Sequence, residues 1–98
     1  MEINIQAIRF EPTERLQDFV HKKVGKLAKF SDEIRKVEVS MKVVKPETAM
    51  NKEVSIRVNA TTELFAEKVC DTFEEAIDNC VDALLRQLQK NKEKSQNR

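Results

Sequence analysis

The chain has no tryptophan and no tyrosine, and among its 98 residues it carries one glycine, two prolines, two cysteines and one histidine. Each scarcity closes off a class of function. One glycine cannot build a glycine-rich loop that cradles phosphate on backbone amides. With His21 alone, no Ser/His/Asp or Cys/His set can be assembled, and His21 reads as a solvated side chain on a helix flank. Cys70 and Cys80 lack the short paired spacing of zinc and redox motifs, so they read as small buried hydrophobes in a reducing, cytoplasmic compartment. The acidic pairs Glu74/Glu75 and Asp78/Asp82 have neither loop geometry nor a partner histidine, and fit capping and solvation better than a cation site. No run approaches the ~18 apolar residues of a membrane span. The first residues also lack the basic start, apolar run and cleavage site of a signal peptide. Catalysis, metal, cofactor, small-molecule substrate and membrane all fit poorly.

What the chain does have is charge, at 36 % of residues, and periodicity. Its length suits one small domain burying roughly 60 to 65 % of its unfolded surface. We expect that domain over residues 1–94, with residues 95–98 fraying. Ile3, Ile5 and Ala7 alternate with polar residues, as in a strand with one buried face. Thr13, after Pro12 and before Glu14, is placed to cap a helix running to about Phe30. The apolar stripe of that helix is Leu16, Phe19, Val20, Val24 and Leu27, and Gly25 falls off the stripe. Val37, Val39, Met41 and Val43 make a second one-sided strand, and Val54, Ile56, Val58 and Ala60 a third. Between them Lys45 to Lys52 reads as a polar, mobile hairpin loop. A fourth strand spans about Glu63 to Val69, but Leu64-Phe65-Ala66 blurs the alternation and leaves its inward face undetermined.

Thr72 and Glu75 form a capping box that opens a long helix. Its stripe of Phe73, Ala76, Ile77, Cys80, Val81, Leu84 and Leu88 stops short of the helical composition, which continues to about Lys94. The pattern predicts an α+β fold of order β-α-β-β-β-α, a two-layer sandwich with a four-stranded sheet and two helices on one face. The first two strands should be parallel with a right-handed crossover, and the rest an antiparallel meander.

The positive charge is clustered, which the net charge of +1 conceals. From Thr13 to Phe30 there are five basic residues against two acidic, and from Arg86 to Arg98 five against one. Arg15, Lys22, Lys26 and Lys29 lie along one helix edge, with Lys23 at the border of the apolar stripe. If the two helices lie side by side, these clusters join into a surface able to hold phosphates by charge and counterion release. Basic residues at helix ends also suit the macrodipole, so a solvated surface remains open at this point. Without tyrosine or tryptophan, and with Phe19, Phe30 and Phe73 needed in the core or at helix ends, no aromatic platform for unpaired bases is evident. Structured RNA read by shape and phosphate fits better.

The chain resembles the short form of the bacterial ribosome hibernation promoting factor family, which includes the ribosome-associated inhibitor. The N-terminal signature is Glu11-Pro12-Thr13-Glu14, Leu16, Phe19-Val20, Lys23, Lys26-Leu27 and Phe30. The C-terminal one is Asp71, Phe73, Ala76-Ile77-Asp78, Asp82, Leu84 and Arg86-Gln87-Leu88 with Lys90, Lys92 and Lys94. The resemblance implies a β-α-β-β-β-α domain that binds the small ribosomal subunit and the whole ribosome, in the channel used by messenger and transfer RNA. It implies inhibition of translation in stressed or stationary cells by occlusion, with no enzymatic step. Lys23, Lys26, Arg86, Lys90, Lys92 and Lys94 match the family's basic positions facing ribosomal RNA, whereas Arg15, Lys22 and Lys29 come from helix geometry alone. Phe73 and Ile77 match as core residues and Asp71 and Asp78 as acids at a helix start. Long members carry a second domain that pairs two ribosomes, and no such dimerisation domain is expected here. A regulatory module that binds a protein, for example a transcription modulator, is the alternative, and a general double-stranded RNA binder a third.

Overall fold

With its only glycine inside a helix, the chain makes its left-handed turns at other residues: Arg9 has φ 70° and Met50 φ 57°. Each such residue costs roughly 1–2 kcal/mol of backbone strain, and each sits beside an anchor. Next to Arg9, the ring of Phe10 stacks on Phe73, centroids 4.6 Å apart and 13° from parallel. The Met50 amide donates to Asp71 Oδ1 at 2.7 Å.

The computed structural model describes residues 1–44 and 49–96, with side chains as far as Lys90. The elements are β1 (Glu2–Ile8), α1 (Glu14–Phe30), β2 (Lys36–Val43), β3 (Lys52–Asn59), β4 (Glu63–Cys70) and α2 (Phe73–Gln96). The order matches the sequence pattern. α2 runs two residues beyond the expected end at Lys94. Residues 45–48 of the expected mobile loop, and 97–98 of the expected frayed tail, lie outside the described residues.

The caps form as the residue types dictate. Leu16 N donates to Thr13 Oγ1 and Glu75 N to Thr72 Oγ1, each at 3.1 Å, satisfying first-turn amides that have no helical partner. At the far end of α1, Ser31 turns extended and its amide donates to Leu27 O.

The sheet order is β1-β2-β3-β4, with β1 parallel to β2 and the later pairs antiparallel. Val37, Val39 and Met41, then Val54, Ile56 and Val58, bury one face of the central strands. Leu16, Val20, Val24 and Leu27 come from α1, and Phe73, Ala76, Ile77, Cys80, Val81, Leu84 and Leu88 from α2. Both helices therefore cover the same face. Phe19, assigned to the apolar stripe, is only half-buried, with the Lys23 amine 5.5 Å from its ring centroid. The register of β4 is now fixed: Leu64, Ala66 and Cys70 are buried, while Phe65 points to the open face and is 47 % exposed.

β4 is an edge strand, and the Gln87 side chain reaches from α2 to donate to Phe65 O at 3.0 Å. As α2 advances, its contacts step back along β4: Asn79 meets Cys70, Cys80 meets Ala66, and Gln87 meets Phe65. Hence α2 runs antiparallel to β4.

Two expected outcomes follow from this packing. A methyl group added at Gly25 meets nothing within 4 Å, so Gly25→Ala should raise the unfolding free energy by about 0.5–1 kcal/mol, read by urea denaturation with an unchanged slope. Burial pushes the Cys80 thiol from its ordinary value of 9.0 up to about 12. The thiol should resist alkylation at pH 8 until the chain unfolds. Because the unfolded thiol ionises first, stability should fall as pH rises from about 9 towards 12.

Candidate nucleic-acid interface

The direction of the helices decides where the charge lies. β4 runs with β1, because two antiparallel steps separate β4 from β2 and β2 is parallel to β1. Both helices leave from the same end of the sheet and return across its covered face. The Phe10–Phe73 stack marks that shared start. Further down, Lys23 Nζ bridges to Asp78 Oδ1 at 3.2 Å. The two helices therefore travel side by side in the same sense.

Acidic residues gather at the shared start: Glu11 and Glu14 before and on α1, then Asp71, Glu74 and Glu75 at the opening of α2. Basic residues gather towards the other end. At about 1.5 Å of rise per residue, Lys26 and Lys29 lie some 20 Å along α1, and Arg86 a similar distance along α2. Arg35, just before β2, joins this end from the connection after α1, which also brings Asp32 and Glu33 there. The signal for Arg35 was its place in the chain, immediately after the turn that follows α1. Aligned helix dipoles put partial positive charge among the acids and partial negative charge among the bases, so the gradient also stabilises the helix pair.

Arg15, Lys22, Lys26 and Lys29 are all exposed. Their row lies about 60° to 120° around α1 from Lys23, on the shoulder nearer α2, because Lys23 is the residue that reaches Asp78. Arg86 and Lys90 are exposed on α2. The side chains of Lys92 and Lys94 lie outside the described residues. Lys23 differs from the rest: it is half-buried, pairs with Asp78 and sits over Phe19. Asp82 and Arg86, four apart on α2, form no ion pair among the described residues, where the other two ion pairs are Lys36–Glu38 and Arg57–Glu63.

Asp71 does more than open a helix. By accepting from Met50 N it ties the β2–β3 connection to α2, and Asn51 beside it is the one buried polar residue among those described. Spacing carried no signal of a contact between residues this far apart in sequence. The opposite face of the sheet has a different charge: Glu2, Glu38, Glu53, Glu63 and Glu67 outnumber Lys36, Lys42 and Arg57 there, five against three.

Among the described residues no group of three His, Cys, Asp or Glu side chains is placed to hold a metal ion. No helix among them is long and apolar enough to cross a membrane.

Residues 3–96 match the family described as Sigma 54 modulation protein / S30EA ribosomal protein. The ribosome hibernation promoting factor of Escherichia coli K12 is 36 % identical over 94 residues, covering 96 % of each chain. That of Pseudomonas putida is 35 % identical over 101 residues, covering 98 % of this chain and 91 % of its own. Among solved structures, the N-terminal domain of Thermus thermophilus Protein Y superposes with TM-score 0.78 at 24 % identity, over 92 % of this chain and 98 % of its own. A ribosomal subunit interface protein from Coxiella burnetii superposes with TM-score 0.82 at 20 % identity, over 94 % and 98 %. These two likenesses establish the fold, and the near full-length match at more than a third identity establishes kinship: the chain belongs to the Sigma 54 modulation protein / S30EA ribosomal protein family, that of the ribosome hibernation promoting factors.

Proposed function

We propose that this chain is a cytoplasmic ribosome silencer. It binds the small subunit, alone or within the whole ribosome, in the channel for messenger and transfer RNA, and stops translation under stress or in stationary phase by filling that channel. The observation that carries the reading is convergence: two basic segments more than fifty residues apart in sequence meet at one end of the helix layer because α1 and α2 run in the same sense. Polyanionic RNA is drawn to that end, and the acidic start and acidic sheet face disfavour the reverse orientation.

The contacts would come from Lys22, Lys26, Lys29, Arg86 and Lys90, extended along the helix by Lys92 and Lys94, while Arg15, in the first turn of α1 about 20 Å from Lys29, would meet RNA only where it reaches beyond this end. Lys23 contributes by joining the two helices through Asp78, so that both basic rows hold one geometry. The domain measures 50 × 23 × 16 Å, an elongated body suited to lying in a groove. Occlusion requires no bond to be made or broken.

Sedimentation with ribosomes and separated subunits across a salt series tests this. Wild type should pellet with small subunits and whole ribosomes at low salt and be released as salt rises. A variant with Lys26, Arg86 and Lys90 changed to Glu should bind far more weakly. Its logarithmic salt slope should fall by about 0.7–0.9 for each phosphate that the variant no longer neutralises. Lys23 is left intact in that variant to keep the helix pair. A folded wild type that stays in the supernatant at low salt would refute the proposal and favour a regulatory module docking on a protein. Separately, a double-mutant cycle of Lys23→Ala and Asp78→Ala should give a coupling of about 0.2–1 kcal/mol, since the pair is partly exposed.

A further inference from the structure

The open face of the sheet holds a second recognition surface. Between β1 and β4 lies a half-open trough of about 310 Å³, at the lower end of the ~300–1,000 Å³ range of small-ligand sites. Its floor is low because the central cross-strand pair is Ser40 and Ser55, the smallest outward residues of β2 and β3. One wall is Phe65 with the Arg57 guanidinium 5.8 Å from its ring centroid, and the other carries the carboxamides of Asn4 and Gln6.

We infer that this trough takes an unpaired RNA nucleobase, stacked on Phe65 beside Arg57 and bonded at its edge by Ser40, Ser55, Asn4 and Gln6. The inference rests on the RNA reading above and extends it to a second face. The backbone groups of β2 and β3 are committed to ladders on both sides, so nothing can bind in the trough by adding a strand. Recognition must come from side chains. Those present are a flat ring, a planar cation, two carboxamides and two hydroxyls, which together offer a stacking surface and both donors and acceptors. Other rings are less available. Phe10 and Phe73 occupy each other, Phe19 is half-buried, and Phe65 is the most exposed phenylalanine among the described residues.

Charge separates this site from the helix face. The ionised groups lining the trough are Glu38 and Arg57, which cancel, and Arg57 is further engaged by Glu63 at 3.2 Å. The surrounding face, with five acids against three bases, repels phosphate, so only a base splayed out from its backbone enters the trough and duplex is excluded. Base stacking on an aromatic ring neutralises no phosphate and so adds nothing to the salt slope, and its loss weakens single-strand binding by roughly ten-fold or more.

The test is NMR titration of the full chain with a single-stranded RNA trinucleotide, a short RNA duplex and a lysine-rich peptide, with ribosome sedimentation on the same preparations. Phe65 is outward and exposed, so Phe65→Ala should fold as wild type, and Phe65→Tyr should keep the stacking. The trinucleotide should shift the amides of Ser40, Ser55, Arg57 and Phe65. Phe65→Ala should weaken it about ten-fold or more with the salt slope unchanged, and Phe65→Tyr should bind as wild type. Shifts confined to α1 and α2, equal affinity in Phe65→Ala, or trough shifts with the peptide and not with RNA would each overturn the inference. Wild type that pellets with ribosomes while the trough stays silent refutes this inference alone. Failure to pellet refutes the proposed function, and the titration still reports on the trough.

Discussion

Everything that sets the charge of this molecule follows from a parity in its topology. β1 and β2 are parallel, so α1 has to carry the chain back across the sheet between them. Two hairpins then bring β4 back to the direction of β1, and α2 leaves from the same end as α1. With one strand fewer, the second helix would start at the opposite end. Its acids would then lie beside the bases of α1, and both gradients would cancel across the helix layer. Aligned macrodipoles side by side repel, and the sequence offsets this with Glu14, Glu74 and Glu75 in the first turns and basic residues further on. What looks in the sequence like separate capping chemistry in two helices is, in the fold, one continuous polarity.

The architecture was legible because each element states its period clearly. Val37, Val39 and Met41 alternate, the stripe from Phe73 to Leu88 repeats at three and four, and Thr13 and Thr72 mark helix starts that the structure places at the next residue. β4 was legible as a strand but not as a surface, for a physical reason. Leu64, Phe65 and Ala66 are all apolar, so hydropathy alone does not say which way each one points. Pairing with β3 resolves it by setting Phe65 opposite Arg57, an outward residue. Phe65 is thus the aromatic that a tally of residue types passed over.

The basic residues were legible individually, whereas their relationship was not. Spacing along α1 puts Arg15, Lys22, Lys26 and Lys29 on one edge, and the structure leaves them exposed there. Spacing gives no information about a neighbour on another element. Lys23 has the same side-chain chemistry as Lys26, yet it turns to Asp78, fifty-five positions later, and forms a partly exposed bridge between the two helices. Asp71 is a similar case, a motif acid whose partner is the Met50 amide across the hairpin.

The amide of Gln87 on the carbonyl of Phe65 has a consequence for solubility. An open strand edge is a template on which further strands assemble, and native proteins suppress such edges. β4 is flanked by apolar side chains, Phe65 and Val69, of the kind that would make edge-to-edge stacking favourable. The helix residue next to Arg86 holds one of the acceptors that a fifth strand would use. The segment that carries the basic charge therefore also limits the width of the sheet and helps to keep each copy of the chain separate from the next.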